Sequence, residues 1–276
     1  MSYLSNKYCR FKKITKFDTT VKKDIICISI FKMRGGGYKD FSLYIDSLKY
    51  INDNIQKYEN LYIRLIIDSN IEKDEKIMKH LKSLNRVSIV VFECSDFYEN
   101  GFHYSTFGTI VRFFPMFKFK NNDAKRVIVM DADLMHNLFS NIMMMYDYVL
   151  KYKIKNVYIA FDGKFNHLNT NTIVPIKHND KTYIIPYCSA SRIIGIKKIP
   201  THMLTDFLDI LIEHTKKINP TEKLYDHYIK KEEMSKKCEK NICYGVDEYY
   251  LNRYLIRELI INDLPICYKY SFDMAS

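Results

Sequence analysis

Lys125-Arg126-Val127-Ile128-Val129-Met130-Asp131-Ala132-Asp133 is the stretch that decides the fold. Four apolar residues, Val127 to Met130, run without alternation, the pattern of a strand covered on both faces. The run stops at two carboxylates spaced i, i+2. Side chains alternate faces along an extended backbone, so Asp131 and Asp133 point the same way if the chain stays extended past the strand end. In open α/β sheets, ligands collect outside the carboxyl ends of strands. A buried strand ending in Asp131-Ala132-Asp133 is therefore a platform for Mn²⁺ or Mg²⁺ that also binds a diphosphate. So short a motif also arises by chance as a solvated turn. Its position, after three strand-like runs and ahead of a second acidic cluster, raises its weight.

Upstream, Asp24 to Phe31 reads as a first buried strand, followed by Lys32-Met33-Arg34-Gly35-Gly36-Gly37. The glycines permit close backbone approach and Lys32 and Arg34 add positive charge, so the segment is either a phosphate cradle or a plain turn. No Lys-Ser/Thr follows the last glycine, which excludes a Walker A loop. Tyr38 to Lys57 has a helical period. Leu61 to Ile67 makes a second strand, Ser69 and Glu72 cap a helix reaching about Leu84, and Val87 to Phe92 is a third strand. This β-α-β-α-β succession predicts parallel strands with right-handed crossovers, a Rossmann-like half. A dinucleotide G-x-G-x-x-G is missing, which disfavours NAD. Phe107 to Phe117 reads as a helix carrying Arg112, with Pro115 inside it.

Downstream, Met143 to Met145 belong to a core helix, and Val157 to Phe161 is another strand. Lys164 to Lys181 has no clear period. Tyr183 to Ile185 and Arg192 to Ile196 are short strands around Tyr187-Cys188-Ser189-Ala190-Ser191. His202 to Lys217 is an amphipathic helix, and the highly charged Asn219 to Asn241 is a surface excursion or a mobile lid. Tyr244 to Leu255 opens a helix with Asp247 and Glu248 in its first turn. Acids there complement the helix dipole; near a metal-diphosphate site they would also stabilise an oxocarbenium-like centre or handle a proton. Without repeats or linkers, the chain reads as one domain, 1–276, with a nucleotide-binding half over 24–134 and an acceptor-side half over 135–276.

Composition narrows the class further. The chain has 276 residues, 27% of them charged and 47% apolar, as in an ordinary globular protein. Met1 to Lys16 has no apolar h-region and no later run is long enough to span a bilayer, so a cytoplasmic protein without an anchor is expected. Seven cysteines with no C-x-x-C disfavour zinc and predict reduced thiols. The net charge of +11 would attract polyanions or a nucleotide diphosphate. Lysine is spread along the whole chain, however, and no basic run is interleaved with aromatics, so nucleic acid is not an expected partner. The excess of Lys, Ile, Asn and Tyr with no Trp fits an A+T-rich genome.

The order of these elements resembles the GT-A fold glycosyltransferases that use nucleotide-diphosphate sugars, especially the retaining family 8 (glycogenin-like) and family 6. Arg112 is similar to the arginine in the helix before the family's metal strand. Val127 to Leu134 looks like that strand with its D-x-D. Tyr187 to Ile194 resembles the donor-sugar segment, and Asp247-Glu248-Tyr249-Tyr250-Leu251-Asn252 looks like the D-E-x-x-L-N of family 6. The match spans residues 24 to about 256. The resemblance implies a GT-A fold, a mostly parallel central sheet flanked by helices with a smaller antiparallel acceptor-side portion. It also implies transfer of a sugar, with retention, from a UDP- or GDP-sugar to an acceptor that the sequence does not identify. Asp131 and Asp133 would hold Mn²⁺ or Mg²⁺ against the diphosphate. Ile30 and Phe31 would contact the base, and Lys32 or Arg34 the ribose or phosphate. Arg112 and Ser189 would meet the donor, Glu248 would act as nucleophile or stabiliser, and Asp247 would bind hydroxyls. The composition looks like that of members from giant DNA viruses or A+T-rich protists, which would put the protein in host cytoplasm or a virion. Two features depart from family 8: no His follows His227, and the glycine-poor Ser189-Ala190-Ser191 replaces the family's donor-pocket segment. Rival readings are a haloacid-dehalogenase-type phosphotransferase, with Asp131 as nucleophile, and a non-catalytic basic binding module.

Overall fold

The computed structural model describes residues 3–4, 6–15, 22–34, 41–133, 136–154, 157–162, 174–185, 188–191, 193–195, 198–217, 238–264 and 266–271. The strands are β1 (Arg10–Lys13), β2 (Lys23–Ile30), β3 (Leu61–Ile67), β4 (Val87–Glu93), β5 (Tyr98–Glu99), β6 (Phe102–His103), β7 (Ala124–Val129), β8 (Val157–Asp162), β9 (Val174–His178), β10 (Lys181–Ile185), β11 (Ile193–Gly195) and β12 (Ile266–Ser271). The helices are α1 (Phe41–Asn54), α2 (Ser69–Glu72), α3 (Glu75–Ser83), α4 (His136–Lys151) and α5 (His202–Lys216). A last helix starts at Val246–Tyr249, widens into a π-helical segment Tyr250–Leu255 and finishes at Ile256–Ile261.

Eight strands form one sheet in the order β1-β4-β3-β2-β7-β11-β8-β12. β4, β3, β2 and β7 are mutually parallel, β12 is parallel to β8, and β1 and β11 run antiparallel to their neighbours. The protein is thus mixed α/β with a mostly parallel central sheet flanked by helices. Chain order reverses at β2: the following strands β3 and β4 stack on one side of it, and β7 lies on the other. That switch point opens a crevice at the carboxyl ends of β2 and β7.

Why the strand runs lack alternation is plain from their two faces. Ile25 and Cys27 of β2, with Val127 and Val129 of β7, pack into one core under α5 and the last helix. Ile26, Ile28 and Ile30, with Ile128 and Met130, pack into a second core under α1, α3 and α4. A strand buried on both sides needs an apolar residue at every position.

Several elements depart from the sequence reading. The cap of α2 is Asp68, whose carboxylate accepts from the Ile71 amide at 2.9 Å, so Ser69 and Glu72 are not the capping pair. A second cap, Asp74, accepts from the Ile77 amide at 3.2 Å and divides the expected single helix into α2 and α3. Phe107–Met116 is a 3₁₀-helix rather than an α-helix. β1, β5, β6, β9 and β12 were not foreseen. β9 and β10 form an antiparallel hairpin across Asn179 and Asp180, both with positive φ, as a tight primed turn requires. The Gly35-Gly36-Gly37 segment, Tyr187 and most of the 219–241 excursion lie outside the described residues. The reduced-thiol expectation is corrected: Cys9 is bonded to Cys94 and Cys238 to Cys243, while Cys27, Cys188 and Cys267 are free. Among the described residues, no helix is long and apolar enough to cross a membrane.

Candidate active site

The crevice at the switch point is a pocket of about 220 Å³. Ser29, Ile30 and Phe31 at the end of β2 form one wall, with Met33 beyond them. Asp131, Ala132 and Asp133 begin one residue past the end of β7, and the chain turns at Ala132 and Asp133 instead of staying extended, yet both carboxylates line the pocket. The 3₁₀-helix contributes Thr106, its N-cap, together with Thr109 and Arg112, and the start of the last helix contributes Tyr244, Gly245, Asp247 and Glu248. Gly245 has φ 86°, a left-handed conformation that side chains resist. It turns the chain so that both acids of the following helical turn reach the pocket.

The 3₁₀ geometry explains which residues of Phe107–Met116 face the site. With three residues per turn, positions i and i+3 eclipse. Thr106, Thr109 and Arg112 therefore form one column facing the pocket, while Phe107, Ile110, Val111, Phe113 and Phe114 are buried in the core. Gly108 is pressed against Phe31: a Cβ built there would lie 2.3 Å from the ring.

At the centre is Arg112, only 2% exposed. Its Nη1 donates to the Met130 carbonyl at 3.1 Å and to Asp131 Oδ1, and its Nη2 donates to Asp247 Oδ2. Burial disfavours the guanidinium charge, but the two flanking carboxylates outweigh that and raise its pKa. Asp247 is shifted up by burial, partly countered by Arg112 and reinforced by the charge of Asp131. One cation thus bridges two carboxylates from elements far apart in sequence. Its bond to Asp131 takes Oδ1 and leaves Oδ2 outside the pair.

Eight of the residues picked out from the sequence line this one pocket: Ile30, Phe31, Arg112, Asp131, Ala132, Asp133, Asp247 and Glu248. Three do not. The Lys32 amide donates to Asp68 Oδ2 at 3.0 Å and its Nζ to Asp74 Oδ2 at 2.9 Å, which pins the chain leaving β2 onto α2 and α3. Arg34 pairs with Glu239 at 3.6 Å. Ser189 bonds to Ser191 at 3.1 Å, in a turn held to the last helix by Asn252. The Asn252 side chain accepts from the Cys188 amide and donates to the Cys188 and Glu248 carbonyls, all within 2.8 Å. The sequence reading did not pick out Tyr44, Thr106, Thr109 or Tyr244. The three-residue spacing of Thr106, Thr109 and Arg112 was the available signal, hidden by the expectation of an α-helix.

For a metal, the donor set is two carboxylates from Asp131 and Asp133. Among the described residues there is no cluster of three or more His, Cys, Asp or Glu side chains able to hold an ion. Two carboxylates with no nitrogen or sulfur donor fit Mg²⁺ or Mn²⁺, which prefer oxygen and, for Mg²⁺, routinely complete their shell with water and phosphate oxygens. No protein-family model matches the sequence, and no curated protein matches it.

Proposed function

We propose that the protein is a metal-dependent glycosyltransferase of the GT-A type, moving a sugar from a nucleotide-diphosphate donor, a UDP-sugar first, to an acceptor. The observation that carries this reading is the meeting of Asp131, Asp133, Arg112, Asp247 and Glu248 in one crevice at the sheet's switch point. Four carboxylates face one guanidinium there. A diphosphate entering alone would meet net repulsion, so the chemistry of the pocket suits an anion that arrives with a divalent cation. Asp131 and Asp133 would hold that ion. Bound there, it would offset the negative charge that builds on the departing diphosphate.

The chain's own residues have distinct tasks in this reading. Ile30 and Phe31 offer the apolar wall for the base, and Thr106 and Thr109 on the 3₁₀-helix, whose hydroxyls donate to the Cys243 and Thr106 carbonyls, offer acceptor oxygens only. Arg112 fixes Asp131 and Asp247 relative to each other, which sets the distance between metal side and sugar side. Glu248, in the first turn of the last helix, would stabilise positive charge on the sugar carbon. The phosphotransferase rival needs Asp131 as a nucleophile, and a carboxylate held by Arg112 is poorly suited to that. The smaller antiparallel hairpin β9–β10 is assigned to the acceptor side.

The test is a thermal-shift and calorimetric screen of nucleotide-sugars with and without Mn²⁺. A UDP- or GDP-sugar should raise Tm only when Mn²⁺ is present, and Asp131→Ala and Asp133→Ala should abolish the shift. Glu248→Gln should keep the shift and lose turnover, as befits a group acting mainly in the transition state. Metal-independent binding, or an unchanged shift in both aspartate variants, would reject the assignment.

A further inference from the structure

Lysines that look scattered along the sequence gather on one rim of the sheet, the rim opposite the pocket. Lys22 precedes β2 and Lys57 precedes β3. Lys118, Lys120 and Lys125 surround the start of β7, and Lys151 and Lys153 precede β8; all seven are exposed. Some cations elsewhere are matched, Lys7 with Asp209, Lys12 with Glu72, Lys32 with Asp74 and Lys240 with Glu99, while Lys49, Lys73, Lys76, Lys79 and Lys82 along α1 to α3 are exposed and make no ion pair among the described residues. None of the seven rim lysines has a carboxylate within ion-pair distance among the described residues. The buried rim acid Asp24 is taken up by Arg126 and Tyr146, and Asp123 by Arg64 and Lys13. Exposed Asp53, Glu59, Asp147 and Asp263 are outnumbered. Apolar groups stand out among these charges. At the end of α4, Leu150 is 37% and Tyr152 56% exposed, alternating with Lys151 and Lys153.

We propose that this rim docks on an anionic lipid bilayer. Lysines beside an exposed tyrosine and leucine match a bilayer interface, where stems and rings enter the headgroup layer and ammonium groups stay at the phosphates. A nucleic-acid surface would instead favour arginine forks for bidentate phosphate contact, and the exposed unpaired cations here are all lysine. The docked protein holds its pocket away from the bilayer, by roughly the 23 Å that a seven-residue strand such as β3 spans. The inference does not depend on the transferase reading.

Sedimentation with vesicles tests it. The full chain should bind phosphatidylcholine vesicles containing phosphatidylserine, and not pure phosphatidylcholine vesicles, with binding lost in high salt. Each neutralised lysine should weaken binding about five-fold, so Lys118→Gln with Lys120→Gln should weaken it about twenty-five-fold. Leu150→Ser with Tyr152→Ser should weaken it further while leaving the salt dependence in place. If the Lys118/Lys120 variant proves misfolded by its melting curve, Lys151→Gln with Lys153→Gln makes the same test. Absent vesicle binding at low salt, equal binding by the lysine variants, or tighter binding to duplex DNA or RNA than to vesicles at matched salt would overturn the proposal.

Discussion

At the scale of single residues, the site turns on Arg112. Removing a buried cation from between two carboxylates leaves Asp131 and Asp247 facing each other in a low-dielectric pocket. Breaking a buried pair in this way costs about 3–5 kcal/mol. Arg112→Met should therefore lose about that much in urea unfolding, and adding Asp247→Asn should recover part of it by removing one of the stranded charges. An Arg112→Met protein as stable as the parent would mean that the triad contributes nothing net. The residues of this triad were readable because each sits in a patterned context: a carboxylate pair ending an apolar run, acids opening a helix, an arginine between apolar residues. Lys32 and Arg34 were misleading for a physical reason. Their charge and nearby glycines suggest phosphate, yet their partners, Asp74 and Glu239, are distant in sequence and local spacing carries no trace of them.

At the scale of elements, the 3₁₀-helix Phe107–Met116 is the piece that the sequence misrepresents. Runs of more than three or four residues in this form are uncommon. Here all but Thr109 are buried, so packing on every side compensates for the poorer hydrogen bonds. Gly108 is its tightest point. Gly108→Ala would drive a methyl into the Phe31 ring, and overpacking of this kind costs about 1–3 kcal/mol. Since Phe31 also lines the pocket, nucleotide affinity should fall along with stability. A double-mutant cycle checks the cause: in a Phe31→Ala background, Gly108→Ala should cost almost nothing. An undiminished cost there would trace the effect to backbone strain instead. The parallel strands β2, β3, β4 and β7 were legible because each holds an unbroken apolar run of three or more residues. β1 and β12 were not, since edge strands carry charges among their apolar residues and look like loops.

At the scale of the whole molecule, acid should unfold the protein in two separable steps, because a buried histidine and a half-buried aspartate titrate in different windows. His103 is buried near the rings of Phe92, Tyr98 and Phe107, and its Nε2 accepts from the Cys94 amide at 3.1 Å. Burial lowers its pKa from 6.5 to about 4. Below pH 6.5 the unfolded chain takes up this proton while the folded chain refuses it, so stability falls as pH falls. The loss should reach about 3 kcal/mol at pH 4 and then level off. Asp123 comes next. Burial opposes its ionisation, but hydrogen bonds and charge from Arg64, with Lys13 beside them, hold its carboxyl at about 2 against 3.8 in the free state. Here too the unfolded chain protonates first, so the contribution is whole above pH 3.8 and drains away toward pH 2, about 2 kcal/mol in all. That network ties the N-terminal segment through Tyr3, β1 through Lys13 and β3 through Arg64 to the start of β7, so its loss loosens the sheet across several strands. Urea unfolding across pH separates the two steps. His103→Gln keeps an acceptor for the Cys94 amide and should flatten the slope between pH 6.5 and 4 while leaving the lower window. Asp123→Asn should be less stable at neutral pH by about 2 kcal/mol and flat below 3.8. Unchanged slopes in either variant would assign that window to other groups.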